Sequence, residues 1–170
     1  MSNILFVHTG GIKMRYSLET AKRKGHKVII MKNNLESWEK KLCDDWIKSD
    51  TYNIERSIKI FDEYYKDNRV DSVVTFSEFD VPLTVELQRK YGFPKLCSIP
   101  PEYLRNKYLM RQRLHQYGFA VPKYRKVTSK QELLNFFGEI QGPIVIKPIW
   151  GADSLFVVKA NNENEANEIW

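Results

Sequence analysis

Cysteine is scarce in this sequence of 170 residues: Cys43 and Cys97 stand alone. Two isolated thiols give neither a disulfide framework nor the paired spacing of a zinc site. No apolar run approaches the roughly 20 residues that a membrane-spanning helix needs. The opening residues Met1-Ser2-Asn3-Ile4-Leu5-Phe6-Val7-His8 carry neither a basic leader nor the apolar length of a signal peptide. Repeats and low-complexity tracts are missing too. These absences argue against a secreted disulfide scaffold and a membrane protein, and make a cytoplasmic protein the expectation. The dinucleotide fingerprint G-x-G-x-x-G is also lacking, and Asn33-Asn34 stands where an acidic residue would close such a site.

Acidic side chains are missing from one long stretch. Between Glu102 and Glu132 there is none, while Arg105, Lys107, Arg111, Arg113, Lys123, Arg125, Lys126 and Lys130 all fall there. Such a block suits nucleotide phosphates, nucleic acid or an acidic partner surface, and equally an ordinary solvated face.

What is present reads as α/β. Hydrophobic residues make up 42% and charged residues 28%, so the chain is ordinary globular material sufficient for one domain or two small ones. Ile4–His8 is an apolar run ending in Thr9-Gly10-Gly11. A helical stretch follows from about Ile12 to Lys24, with Gly25 as its stop, and Lys27–Met31 is the next apolar run. Strand, glycine turn, helix and strand make a βαβ unit, hence a parallel sheet. Gly10 and Gly11 sit where the backbone could approach a ligand; a tight turn explains them as well.

Trp38, Leu42 and Trp46 are spaced for a short amphipathic helix. Asn53 caps a longer one bearing the stripe Ile54, Ile58, Phe61, Tyr65. Asp71–Phe76 is another strand, and Ser77-Glu78-Phe79-Asp80 follows it. Ligands gather beyond the carboxyl ends of strands in open α/β sheets, which makes Glu78 a candidate substrate residue. Asp80 reads as the N-cap of the next helix. A further strand is expected around Cys97, and Pro100-Pro101 marks a boundary. The expected domains are therefore 1–99 and 100–170.

Beyond the boundary Asn106 caps a helix from Lys107 to Tyr117, with Met110, Leu114 and Tyr117 expected to be buried. A short strand is expected at Tyr124–Val127, and Ser129 with Glu132 forms a capping box. Pro143-Ile144-Val145-Ile146-Lys147-Pro148 and Leu155-Phe156-Val157-Val158-Lys159 then flank a turn containing Gly151, Asp153 and Ser154. This is a hairpin with a long loop. Lys147 interrupts an apolar run and calls for an anionic partner, unless it faces water from an edge strand. Asn162 and Glu165 open a last helix.

Three segments in this order, Asn106-Lys107-Tyr108-Leu109-Met110-Arg111, Tyr117-Gly118-Phe119-Ala120-Val121-Pro122 and Pro143-Ile144-Val145-Ile146-Lys147-Pro148, resemble the ATP-grasp superfamily. Lys107 and Lys147 are 40 positions apart, a spacing typical of the resemblance. The resemblance covers essentially the whole chain. It implies a Rossmann-like, parallel-sheet N-terminal (pre-ATP-grasp) domain followed by an incomplete α+β ATP-grasp subdomain. It also implies ATP as cofactor, with Lys107 and Lys147 on its phosphates and Gly151 to Ser154 as the phosphate loop. Gly10, Gly11 and Glu78 would lie towards a small carboxylate substrate. The activity implied is ligation: a carboxylate activated as an acyl phosphate and then attacked by an amine or ammonia. Magnesium would take part through ligands outside this chain, because the family's adenine hinge and its acidic and Asn metal ligands are not among these residues. The chain by itself is expected to be a truncated, inactive part of such an enzyme, completed by a C-terminal segment or a homo-oligomer. The contrasting expectation is a non-catalytic basic module for nucleic acid or an acidic protein, with Tyr103, Tyr108, Tyr117 and Tyr124 interleaved among the charges. No nucleic-acid-binding motif accompanies them.

Overall fold

A computed structural model describes residues 1–95 and 100–170; the strand expected around Cys97 lies outside the described residues. The chain forms two compact units, Met1–Pro101 and Glu102–Trp170.

The first unit is α/β. Strands β1 (Asn3–Val7), β2 (Lys27–Lys32), β3 (Asp45–Lys48) and β4 (Ser72–Val74) make a four-stranded sheet in the order β3-β2-β1-β4. Every neighbouring pair is parallel, with Leu5 opposite both Ile29 and Val73. Alternate side chains go to opposite faces. Leu5, Val7, Ile29, Met31, Ile47 and Val73 pack beneath helices α3 (Ile54–Asp67) and α4 (Val81–Tyr91), against Phe61, Leu83 and Leu87. Phe6, Val28 and Ile30 meet Leu18 and Ala21 of α1 (Arg15–Arg23) on the other face. Coverage of both faces is why these strands read as unbroken apolar runs rather than as alternating ones.

Helix α3 is capped as expected and α4 stops at a glycine. The Asn53 side chain accepts from the Arg56 N–H at the start of α3, and Gly92 ends α4 in the left-handed conformation with φ 70°. The stretch around Trp38 to Trp46 departs from expectation. A one-turn helix α2 (Ser37–Lys40) stops at once, and Trp46 lies in edge strand β3 instead of on a helix face. Burial explains the change: Trp46 is exposed, Ile47 buried, Lys48 exposed and Ser49 buried. That period of two fits a half-buried strand and overrides the helical spacing of three aromatic and aliphatic residues.

The second unit contains α5 (Glu102–Arg105), α6 (Lys107–Gln116), α7 (Lys130–Ile140), the antiparallel pair β5 (Ile144–Ile146) and β6 (Val158–Ala160), and α8 (Glu163–Ile169). Its core is small: Leu133, Ile144, Ala160 and Ala166, flanked by Phe137, Ile140 and Ile146. Asn106 accepts from the Tyr108 and Leu109 N–H groups, Ser129 from Glu132 and Asn162 from Glu165, so all three expected caps are made. Two expectations fail. No residue of α6 is buried, and Tyr117 just after it is 65% exposed, because the guanidinium of Arg113 rather than a core occupies its ring, at 4.8 Å. Residues 124–127 form no strand, since β5 takes β6 as its pairing partner. Arg125 anchors that segment instead, through two 2.8 Å hydrogen bonds to Glu139. No helix among the described residues is long and apolar enough to cross a membrane.

Candidate functional site

In the first unit the carboxyl ends of β1, β2 and β4 form a rim of polar groups. β1 ends at Val7, and His8 then takes φ 56°, a left-handed conformation that turns the chain out of the sheet. Gly10 follows at φ 78°, and a Cβ there would stand 2.4 Å from the carbonyl oxygen of Phe76. This glycine is therefore required twice, by its backbone conformation and by the strand-end loop lying against it. Gly11, at φ 89° and ψ 176°, occupies a region open only to glycine.

Beside this turn lies a buried network. Glu39 has no exposed surface; it accepts from the Thr9 hydroxyl, from Lys32 Nζ at 3.0 Å and from the Glu36 N–H at 2.7 Å. A one-turn helix thereby ties the ends of β1 and β2 together. Burying the pair is tolerable because each carboxylate oxygen has donors. The imidazole of His8 accepts from the Gly10 N–H through Nδ1 at 3.2 Å, which leaves the ring proton on Nε2. Burial, and then the Lys32 ammonium, hold its pKa below the ordinary histidine value, while Asp80, Glu39 and Glu36 pull the other way. Glu78 stands exposed on the same rim after β4. Asp80 is at the N-terminus of α4 as expected, yet its side chain makes no capping hydrogen bond; it is buried, 1% exposed.

In the second unit the two candidate lysines do come together. Lys107, the first residue of α6, donates its ammonium to the Gly151 carbonyl at 2.8 Å and its backbone N–H to the Ile149 carbonyl at 3.1 Å. Lys147 lies one residue past β5, outside the strand and exposed. The sequence argument for a lysine buried within a strand therefore falls; Lys147 faces solvent, but from just beyond β5 rather than from an edge strand. Its pKa is nonetheless lowered, by partial burial first, then by the positive charges of Arg111 and Lys107. Arg111 was visible in the sequence only as one member of a basic block. The signal that singles it out is its place four residues after Lys107, on the same helical face. Ser154 shares the turn with Gly151; Asp153, Ser154 and Phe156 all have φ between 56° and 58°.

These cations border a groove of about 730 Å³ whose inner wall is apolar, with Val127, Leu133, Phe136, Ile144 and Ile146. Tyr124 stands at its edge, in edge-to-face contact with Tyr108 at 5.8 Å. A groove with an apolar wall and several cations in its lining suits a ligand that carries both a flat ring and several negative charges. The rest of the basic block is partly spent internally, Arg125 on Glu139 and Arg113 on the rings of Tyr103 and Tyr117. Among the described residues no three His, Cys, Asp or Glu side chains converge as metal ligands.

Residues 18–95 match the family model of the ATP-grasp N-terminal domain. No curated protein sequence matches the chain. Solved structures do. The N5-carboxyaminoimidazole ribonucleotide synthetase of Thermotoga maritima superposes with a TM-score of 0.73 at 22% identity, over 99% of this chain and 43% of that one. The L-amino acid ligase of Bacillus licheniformis gives 0.72 at 18% identity, over 99% of this chain and 41% of its own. The N5-carboxyaminoimidazole synthetase of Staphylococcus aureus gives 0.77 at 15% identity, over 98% and 42%. At such identities the likeness is one of fold, and the chain spans less than half the length of these neighbours.

Proposed function

We propose that the chain, of which residues 18–95 match the family model of the ATP-grasp N-terminal domain, is the N-terminal part of an ATP-dependent carboxylate–amine ligase. The observation that carries this reading is that Lys107, Arg111 and Lys147, near enough to act on one another's charge, line one largely apolar groove. ATP fits that arrangement: the apolar wall takes the base, and the three cations take the phosphates. During phosphoryl transfer to a carboxylate, charge builds on the phosphate oxygens, and fixed ammonium and guanidinium groups stabilise it. Lys147 contributes with little reorganisation, because it already stands beside its two cationic neighbours. Gly151 and Ser154 form the turn next to the phosphates. In the first unit Gly10, Gly11 and Glu78 form the edge that receives the substrate. Magnesium, which the reaction class uses, would be held by ligands outside this chain. The superposed ATP-grasp ligases support the reading at the level of fold.

The test is titration of a fluorescent ATP analogue, displaced by ATP, into wild type, Lys147→Ala and Lys107→Ala. Each substitution is expected to weaken binding by about 1–3 kcal/mol, the range of a charge-assisted hydrogen bond. Wild-type affinity in both variants, or no nucleotide binding by the wild type, rejects the proposal.

A further inference from the structure

The groove of the second unit carries a lysine without a counter-ion. Lys147 is exposed, and among the described residues no hydrogen bond or ion pair engages its ammonium. Arg111, in the same lining, has no such partner either, whereas Lys107 is held by the Gly151 carbonyl at 2.8 Å. No Asp or Glu is among the described residues that line the groove. An ammonium crowded by like charges, with no carboxylate to offset them, gives up its proton more readily. Burial first, and then Arg111 and Lys107, accordingly lower the pKa of Lys147. Lysines elsewhere are held the other way. Lys59 bonds to Glu55 at 2.8 Å and Lys66 to Glu63 at 2.6 Å, and those bonds raise the pKa of both. The groove thus sets an accessible, readily deprotonated amine beside two cations able to hold a phosphate. Those are the requirements for attack on an electrophile that carries a phosphoryl group.

We propose that Lys147 is a modification site, acylated by acyl phosphates whose phosphoryl group Arg111 and Lys107 hold. This inference rests on reading these cations as phosphate-binding. A guanidinium presents a planar fork of donors to phosphate oxygens, and the Lys107 ammonium adds a second positive charge. The lone pair of neutral Lys147 Nζ attacks the acyl carbon. The bond from that carbon to the bridging oxygen breaks, and the phosphate leaves with the electron pair and takes up the proton of the amine. The products are an amide on Lys147 and inorganic phosphate, with no change of oxidation state. Holding the phosphoryl group beside the amine replaces a chance encounter with a local one, and the two cations offset the charge of the departing phosphate. Acylation turns the Lys147 ammonium into a neutral amide and leaves two cations where there were three. A ligase of the class proposed above makes an acyl phosphate itself, so an intermediate that escapes attack weakens its own phosphate site.

The experiment treats the full chain with acetyl phosphate or with the uncharged ester N-hydroxysuccinimidyl acetate, and mass spectrometry follows Lys147, Lys59 and Lys66. Acetyl phosphate is expected to modify Lys147 faster than the two paired lysines by roughly tenfold or more. Inorganic phosphate, added at constant ionic strength, is expected to remove most of that preference and to leave the pattern of the uncharged ester as it was. Arg111→Ala is expected to slow acetyl phosphate more than the ester, because it removes a phosphate contact as well as a repelling charge; Arg111→Lys restores part of the difference. Equal rates at the three lysines, a preference that ignores inorganic phosphate, or equal slowing of both reagents by Arg111→Ala overturns the proposal. Titration of the fluorescent ATP analogue into the unmodified protein separates the two readings. Phosphate-directed acylation without nucleotide binding removes the ATP reading and leaves this one, and nucleotide binding with undirected acylation removes this one alone.

Discussion

Lys107 holds the backbone of Gly151 from 44 positions away, its ammonium 2.8 Å from that carbonyl oxygen. Its own N–H bonds to Ile149, so one residue fastens the turn at two points. The turn needs fastening. Asp153, Ser154 and Phe156 are non-glycine residues with left-handed backbones, each unfavourable by about 1–2 kcal/mol. Removing the ammonium in Lys107→Met should therefore loosen residues 150–156. Faster amide exchange there, with exchange in β1 and β2 unchanged, is the expected result. A nucleotide that draws the ammonium away should loosen the Gly151 contact in the same manner.

Gly10 and Gly92 are both left-handed, at φ 78° and 70°, but only Gly10 lies against backbone. Gly92→Ala should destabilise by about 1 kcal/mol, the ordinary penalty for a side chain in that conformation. Gly10→Ala adds a collision with the Phe76 carbonyl and should destabilise by roughly 2–4 kcal/mol. Denaturant midpoints of the two variants give the comparison. Equal losses would mean that the β4 loop gives way freely.

The sequence was most readable where one local cause dominates. Continuous apolar runs gave β1 and β2, and asparagine and serine caps gave the starts of α3, α6, α7 and α8. It was least readable where partners are distant. Trp46 is drawn into β3 by pairing with Ile30 of β2, which no helical spacing reveals. Glu39 and Lys32, seven residues apart, show nothing in sequence of their buried contact or of Thr9 joining it. Asp80 looked like a cap because of its position before a helix; only burial and the missing cap bond show otherwise. Lys147 drew notice for being in an apolar run, whereas its distinction is the company of Arg111 and Lys107.

The Glu39 network predicts asymmetry between single and double changes. Glu39→Ala leaves the Lys32 ammonium, 9% exposed, without its main carboxylate, and removing one partner of a buried pair destabilises by about 3–5 kcal/mol. Changing Lys32→Met together with Glu39→Gln removes both charges and keeps an acceptor for Thr9. It should recover most of the loss. Urea unfolding of Lys32→Met, Glu39→Gln and the double variant measures this coupling, and simple additivity of the two changes would show that the pair is not coupled.

Lys147 offers the last prediction. Its pKa lies below the usual lysine value of 10.5, through partial burial first and then through Arg111 and Lys107. A lowered pKa leaves more neutral amine at a given pH, so Lys147 should acylate faster than other surface lysines at pH 8–9, with the excess shrinking as pH rises past 10.5 and all amines become neutral. Arg111→Ala removes one repelling charge, raises the pKa and should slow the reaction. Added salt screens both neighbours and acts in the same direction. ATP, by placing negative phosphates among the three cations, should slow labelling most of all, since it both raises the pKa and covers the nitrogen. Mass spectrometry of partially acylated protein ranks the sites. Labelling of Lys147 that ignores salt, Arg111 and ATP alike would mean that burial alone sets its reactivity and that no anion is held between these groups.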